Sequence, residues 1–240
     1  MIPIKDYNPT RRKARVVPAI LIFNVIVFLW ELGLGSDRTA AVYYFGVVPR
    51  FFTDPALREQ LGALHLIQSL FTTLFMHGGW FHLLANMWTL FVFGDNVEDR
   101  LGVSRFILLY FLAGMAASGL EILVNPHSET PIIGASGAIA GVMGAYLRLY
   151  PKARIDMLIP PLVFGPFFRI PAYVFLLYWI VLQLFNGSMS LGHVGGGGVA
   201  WWAHVGGFAT GFLLCTLLTP PQDHPDTYRS PSGRVRYARR

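Results

Sequence analysis

Residues 170–222 read IPAYVFLLYWIVLQLFNGSMSLGHVGGGGVAWWAHVGGFATGFLLCTLLTPPQ, and these 53 positions contain no Asp, Glu, Lys or Arg. A helix needs about 20 apolar residues to cross roughly 30 Å of hydrocarbon, so the stretch is too long for one membrane span. Asn186-Gly187-Ser188 and the four glycines from Gly195 to Gly198 divide it in two. The stretch therefore predicts two transmembrane helices, at residues 170–186 and 199–218.

The whole chain has the composition of a membrane protein with several spans. Of its 240 residues, 54% are apolar and 13% are charged, about half the charged share of ordinary globular proteins, and the mean hydropathy is +0.49. A soluble fold of this length would need more charge to cover its surface, and the same figures exclude disorder over most of the chain. The single cysteine, Cys215, excludes a disulfide framework and a thiolate metal cluster.

Charge-free stretches nearer the amino terminus predict four further helices, at residues 17–35, 80–97, 104–124 and 135–150. The uncharged residues that lead into the second of these are predicted to form a loop. Prolines and a glycine exclude a regular helix between Met157 and Phe168, which predicts an interfacial loop there.

The predicted fold is thus all-α, a polytopic membrane protein with a bundle of six transmembrane helices. The bundle forms one domain over residues 17–218. A cytoplasmic segment at 1–16 precedes it, and a disordered, basic cytoplasmic tail at 219–240 follows it.

The basic residues predict the orientation of the bundle in the lipid bilayer. With the amino terminus inside the cell, sixteen of the nineteen Lys and Arg residues fall in inside segments, and only Arg38, Arg50 and Arg58 fall outside. Cytoplasmic loops of membrane proteins carry such an excess of Lys and Arg. We therefore predict a multi-pass protein of the cell (plasma) membrane with both termini cytoplasmic. The net charge of +6 is explained by these topology anchors, so no nucleic-acid partner is expected.

Polar side chains occur near the starts of three predicted helices that run in the same direction. His82 and Asn86 are four residues apart and share a face of the second helix, Ser136 opens the fourth, and His204 lies early in the sixth. At 1.5 Å per residue, Asn86 and His204 both lie roughly 8–9 Å below their helix starts. Polar groups are costly in lipid, so this common layer is a candidate functional site.

Glycine pairs predict which of these helices touch. Gly137 and Gly141 in the fourth helix, and Gly207 and Gly211 in the sixth, are spaced as small-residue faces that permit close backbone approach. The second pair lies three and seven residues after His204, on the same helix face. These glycines can also serve packing alone, but packing the two faces together brings His204 towards Ser136.

The chemistry of this layer points to nucleophilic catalysis. A serine hydroxyl needs a neighbouring base at neutral pH, and His204 is the candidate. No Asp or Glu is available in the layer, so the sequence predicts a dyad whose imidazole is oriented by an unidentified Tyr or Trp. The carboxamide of Asn86, an N–H of His82 and the backbone N–H of Ser136 can stabilise an anionic tetrahedral intermediate. Ala138 departs from the GxSxG elbow of soluble α/β-hydrolases.

In these motifs the sequence resembles the rhomboid intramembrane serine proteases. The matching segments are HGGWFHLLAN at 77–86, GASG at 134–137 and AHVGG at 203–207, and Gly94, Glu98 and Arg100 also fit the family. The likeness covers about residues 17–218. In the first loop, Gln68-Ser69 occupies the region where rhomboids often carry Trp-Arg.

The resemblance implies a serine endopeptidase that cleaves transmembrane protein substrates near the outer membrane face, without a cofactor. It implies that Ser136 is the nucleophile and His204 the base, and that His82 and Asn86 line an oxyanion hole together with Ser136. Residues 186–198 resemble the mobile loop that caps the site in this family, and we expect this loop to gate the entry of water and substrate.

Other functional classes fit the sequence less well. A non-catalytic rhomboid-like protein that binds membrane clients is the alternative, but such proteins typically lack the serine or the histidine. A channel or transporter would need internal repeats or broken helices at mid-membrane depth. The histidines lack zinc-ligand spacing, so no metal site is expected. His77 is instead predicted to fix the loop that enters the second helix, and His127, His193 and His224 to be exposed to solvent.

Overall fold

A computed structural model describes residues 2–158, 168–191, 199–221, 227–229 and 235–237 of the chain. These residues contain ten α-helices, which we number along the chain. They are α1 (Val16–Gly33), α2 (Arg38–Phe45), α3 (Pro49–Thr53), α4 (Pro55–Leu61), α5 (Ala63–Thr72), α6 (Trp80–Leu101), α7 (Val103–Val124), α8 (Ser136–Leu149), α9 (Ala172–Ser190) and α10 (Trp201–Leu218). The predicted class, a helical polytopic membrane protein, is confirmed.

Six of these helices coincide with the six predicted spans to within a few residues. Four of the described helices, α1, α7, α9 and α10, are long and apolar enough to cross a membrane. Helix α6 carries four charged residues in its second half, and α8 has 14 residues. The count of six spans therefore stays a prediction.

Helix α8 is the centre of the bundle. Every residue from Gly137 to Leu147 is buried, and the helix packs against α6, α7 and α10. A methyl group added at Gly207 would overlap the carbonyl oxygen of Gly137, and one at Gly211 would overlap that of Gly141. The predicted packing of the two glycine faces is thus confirmed, with backbone lying directly against backbone.

A carboxylate sets the start of helix α1. Glu98, in α6, accepts hydrogen bonds from the backbone N–H groups of Arg15, Val16 and Val17 at 2.6–2.9 Å. The first N–H groups of a helix have no partner within it, and an anion there also complements the helix dipole. The cap therefore joins the amino-terminal segment to the carboxyl end of α6.

A three-stranded antiparallel sheet lies at this same end of the bundle, in the order β1 (Ile2–Asp6), β2 (Arg154–Leu158), β3 (Phe168–Pro171). The carboxylate of Asp6 accepts hydrogen bonds from Asn96 and Tyr146, at 2.8 Å each, near the carboxyl ends of α6 and α8. The sheet therefore lies opposite the ends where these two helices begin.

This sheet was not part of the sequence prediction. Strand β1 lies within the predicted cytoplasmic segment 1–16. In the predicted interfacial loop, Met157 and Leu158 belong to β2 and Phe168 begins β3, while residues 159–167 lie outside the described part of the chain. In the described part, the alternating burial of Ile155 and Met157 is that of a strand with one covered face.

The prediction of a loop before the second membrane helix is wrong, because most of the segment is helical. Helix α5 and a 3-10 turn at Thr73–Phe75 occupy most of it. Residues 63–75 contain neither proline nor glycine, and burial of Leu66, Ser69 and Thr73 follows one helical face. In the predicted tail, β4 (Thr227–Arg229) and β5 (Val235–Tyr237) pair with each other. Most of the remaining tail lies outside the described residues, so its predicted disorder stays a prediction.

Candidate active site

Ser136 and His204 meet where helices α8 and α10 begin. Ser136 is the first residue of α8, and His204 lies in the first turn of α10. The Ser136 hydroxyl donates to Nε2 of His204, with 2.9 Å between the two atoms. The hydroxyl can donate in this direction only when the proton of a neutral ring is on Nδ1.

The other ring nitrogen of His204 has a partner that the sequence analysis missed. Nδ1 donates to Oε1 of Gln183, in helix α9, at 2.7 Å. Gln183 is 5% exposed, and its amide nitrogen donates to the carbonyl oxygen of Trp179 at 3.3 Å. The prediction of a dyad rested on the lack of an Asp or Glu in the layer. The available signal was a single amide in the middle of an otherwise apolar predicted helix.

The aromatic packing predicted around the imidazole is also present. The ring of Trp179 lies 5.6 Å from that of His204, at an interplanar angle of 40°. The ring of Trp201 lies 6.4 Å away, at 87°. Two tryptophans, one on each of the helices α9 and α10, therefore limit the tilt of the ring.

His82 and Asn86 lie against the backbone just before Ser136. Gly78 N–H donates to Nδ1 of His82 at 3.4 Å, so Nε2 is the nitrogen that carries the proton of a neutral ring. A methyl group at Gly134 would lie 2.6 Å from Nε2 of His82 and 3.4 Å from Nδ2 of Asn86. Gly134 also has a φ of +115°, so both the space and the conformation require glycine.

His77 fixes the amide of Asn86. Asn86 Nδ2 donates to Nε2 of His77 at 3.1 Å, and Nδ1 of His77 donates to the carbonyl oxygen of Phe75 at 3.2 Å. The amide has a second hydrogen that this bond does not use. The expected role of His77 in fixing the entry to α6 is confirmed, and it extends to a residue of the candidate site.

Two charged side chains hold His77 in turn. Its backbone N–H donates to Glu31 at 2.9 Å, and Arg38 donates to its carbonyl oxygen at 2.9 Å. Arg38 also pairs with the fully buried Glu31, with 3.6 Å between Nη2 and Oε2. This network connects the carboxyl end of α1 and the start of α2 to the candidate site.

A buried carboxylate sets the start of helix α10. Glu121, near the end of α7, accepts from the backbone N–H of Ala203 at 3.0 Å and from the amide of Asn125 at 2.5 Å. Ala203 is the residue before His204, so this cap fixes the turn that carries the imidazole.

Other predicted features lie away from this site or outside the described residues. Residues 192–198 of the predicted capping loop, with His193, and His224 in the tail are not described, whereas 186–190 continue helix α9. His127 is exposed. Within the described ranges, no group of three or more His, Cys, Asp or Glu side chains could hold a metal ion.

The arrangement has the parts that acyl transfer requires. A hydroxyl contacts an imidazole nitrogen that can take its proton, and a third side chain holds the other ring nitrogen. The N–H donors of His82 and Asn86 lie beside the same backbone, and the N–H of Ser136 has no acceptor within its own helix. Such donors stabilise the negative oxygen of a tetrahedral intermediate.

The sequence is similar to those of known proteins over most of its length. The sequence model of a family described as "Rhomboid domain" matches residues 65–221. The chain is 31% identical to "RHOMBOID-like protein 6, mitochondrial" of Arabidopsis thaliana, over 95% of this chain and 76% of that protein. It is 30% identical to "RHOMBOID-like protein 1" of the same plant over 92% of this chain, and it spans 60% of that protein's length. It is 29% identical to the human "Presenilin-associated rhomboid-like protein, mitochondrial" over 66% of this chain and 39% of that protein.

Proposed function

The chain belongs to the rhomboid family, and from this premise we propose that it is an intramembrane serine endopeptidase. Its substrates are transmembrane proteins, whose peptide bonds it hydrolyses with Ser136 as nucleophile and His204 as general base. The observation that carries the proposal is the 2.9 Å contact between the Ser136 hydroxyl and Nε2 of His204. That contact joins two helices which only their glycines allow to approach so closely.

The proposed reaction has two halves. Ser136 Oγ attacks the carbonyl carbon of the scissile peptide bond while its proton passes to Nε2 of His204. The imidazolium then gives this proton to the leaving amine as the C–N bond breaks, which leaves an acyl-enzyme. A water molecule attacks the ester by the same route, with His204 as base, and releases the acid and the free serine.

Three donors are proposed to hold the oxygen that becomes negative in each half. They are Nε2–H of His82, the free amide hydrogen of Asn86 and the backbone N–H of Ser136. Their positions are set by the protein fold before substrate arrives, so little reorganisation is needed when the charge develops. The contact of Asn86 with His77 supports this role, because it fixes the amide without using both of its hydrogens.

The protein is an integral membrane protein, and we propose that the site faces the outer side of the cell membrane. The excess of Lys and Arg in the segments assigned to the inside supports this orientation, with both termini cytoplasmic. Two of the relatives named above are called mitochondrial, so fractionation of the host's membranes is the test of location.

The test of the activity is cleavage of a model transmembrane substrate by the purified protein in liposomes. The parent protein should cut the substrate into two fragments. Ser136→Ala and His204→Ala should produce none, although their unfolding temperatures should equal the parent's. Cleavage by Ser136→Ala at the parent's rate would overturn the assignment of roles. A parent protein that binds such substrates without cutting them would instead be a non-catalytic client-binding member of the family.

A further inference from the structure

We infer that Gln183 is a positioning residue that completes a Ser136–His204–Gln183 triad. Its side-chain carbonyl holds His204 in the tautomer and the orientation that a general base needs. This inference rests on the proposed function, and it replaces the expected dyad with a hydrogen-bonded chain of three side chains from α8, α10 and α9.

The position of the proton on the imidazole ring decides whether His204 can act as a base. A neutral imidazole has one N–H and one acceptor nitrogen, and only the tautomer with hydrogen on Nδ1 leaves Nε2 free to accept from Ser136. The oxygen Oε1 of Gln183 can only accept, and it lies 2.7 Å from Nδ1. The contact therefore favours the tautomer in which His204 can act as a base.

The amide of Gln183 has its oxygen, and not its NH2 group, towards the imidazole ring. An amide beside a histidine helps only when its oxygen faces the ring N–H, because its NH2 group would favour the other tautomer. Here the NH2 group of Gln183 donates to the carbonyl oxygen of Trp179, one helical turn earlier, at 3.3 Å. A flipped amide would place its oxygen against the carbonyl oxygen of Trp179, two acceptors with no hydrogen between them, so this contact fixes the direction.

The burial of Gln183 favours a neutral side chain over a charged one as the partner of His204. Gln183 is 5% exposed and lies in a helix that is long and apolar enough to span a membrane. An ionised carboxylate at this position would lose most of its hydration, and such a loss is expensive in lipid. A neutral amide gives the ring nitrogen an acceptor without that cost, which explains how the site can orient its base without an Asp or Glu.

The experiment compares Gln183→Met, which keeps the length of the side chain but removes the acceptor, with Gln183→Glu, whose neutral carboxylic acid keeps an acceptor for Nδ1 of His204 and a donor for the carbonyl oxygen of Trp179. Gln68→Met, at an exposed glutamine of α5, is the matched control. We expect Gln183→Met to lower kcat about 10- to 100-fold, with KM nearly unchanged and with no larger fall in the unfolding temperature than the loss of one buried hydrogen bond produces. Gln183→Glu should recover most of kcat, and Gln68→Met should equal the parent.

A spectroscopic readout separates this inference from the proposed function. The method is 15N NMR of protein labelled at its histidines, in which the signal missing from His204→Ala identifies His204. The parent should show hydrogen on Nδ1 of His204, and Gln183→Met should show a mixture of the two tautomers. This result does not depend on turnover, so an inactive parent with the expected tautomer would count against the protease alone. Parent-like kcat and an unchanged tautomer in Gln183→Met would overturn the positioning role. A loss of kcat that tracks unfolding and is not rescued by Gln183→Glu would also overturn it.

Discussion

Gly211 of helix α10 lies so close to Gly141 of helix α8 that a single methyl group would overlap the Gly141 carbonyl oxygen. Such an approach is possible only because Gly211 has no side chain. Further towards the starts of the same two helices, this close packing brings the Ser136 hydroxyl to 2.9 Å from Nε2 of His204. The distance between the two proposed catalytic groups is therefore set by glycines outside the site.

Gly211→Ala should lower the free energy of unfolding by about 1–3 kcal/mol, because the added methyl group forces two backbones apart. It should also slow cleavage, since Ser136 and His204 would separate with them. Thermal unfolding in detergent and the cleavage rate measure the two effects.

The matched control for this prediction is Gly119→Ala in helix α7. An added methyl group there meets nothing within 4 Å, so this variant should be unchanged or up to about 1 kcal/mol more stable, as usual for alanine in a helix. Equal stability of the two variants would contradict the close packing.

Glu121→Ala should reduce both stability and turnover. It removes the acceptor of the Ala203 N–H, so the first turn of α10, which carries His204, loses its cap, at a cost of about 1–2 kcal/mol. Glu98→Ala removes a comparable cap from α1, at the other end of the bundle. That variant should lose stability but keep kcat per folded molecule. If kcat is unchanged in Glu121→Ala, the cap does not position His204.

Asn86→Ala should lower kcat about 100- to 1,000-fold and leave KM nearly unchanged, the usual cost of losing one oxyanion donor. The control is Asn24→Ala, at a buried asparagine in α1 whose amide donates to Ile20 within the same helix. Steady-state kinetics on one substrate compare the two variants. A higher KM with an unchanged kcat in Asn86→Ala would assign Asn86 to substrate binding instead.

Asp6 should make stability depend on pH at the sheet end of the bundle. Burial raises the pKa of its carboxyl to about 6, against the effect of the hydrogen bond from Tyr146. In the unfolded chain the value is about 3.9, so the folded protein favours the protonated form. The stabilisation is fully present below about pH 4 and is lost as the pH rises through about 6.

The size of this effect should be on the order of 1 kcal/mol, because part of the Asp6 side chain is in contact with water. Unfolding temperatures measured between pH 4 and pH 7 should decline less in Asp6→Asn than in the parent. Asp37→Asn, at an exposed aspartate, should follow the parent curve. A parent curve and an Asp6→Asn curve of the same slope would rule the effect out.

The membrane helices could be predicted from the sequence because lipid excludes charge. The charge-free stretches show where spans lie, and the glycines at 195–198 divide the longest of them. The predicted bounds of α1, α7 and α10 therefore agree with the structure to within a few residues. The contact of Ser136 with His204 was predictable for a related reason. Glycines spaced four residues apart identify the helix faces that meet. Gly207 lies three residues after His204, so the imidazole is on the face of α10 that packs against α8.

Gln183 and the sheet could not be predicted in this way. A lone amide in an apolar helix does not reveal which side chain it will meet, because that depends on the rotation of α9 against α10. Strand β1 finds its partner far along the chain, as the hydrogen bond from Tyr7 to Asp156 illustrates across 149 positions. Short strands that pair over such distances carry little local signal beyond alternation.

The most direct test of the central claim is to map the site of covalent labelling by a fluorophosphonate, a probe that reacts with activated serines. The purified parent protein is treated in detergent, digested and analysed by mass spectrometry. We expect one adduct, on Ser136, and none in His204→Ala, because the hydroxyl needs that imidazole to react. An adduct on a different serine, or labelling of His204→Ala at the parent's rate, would contradict it.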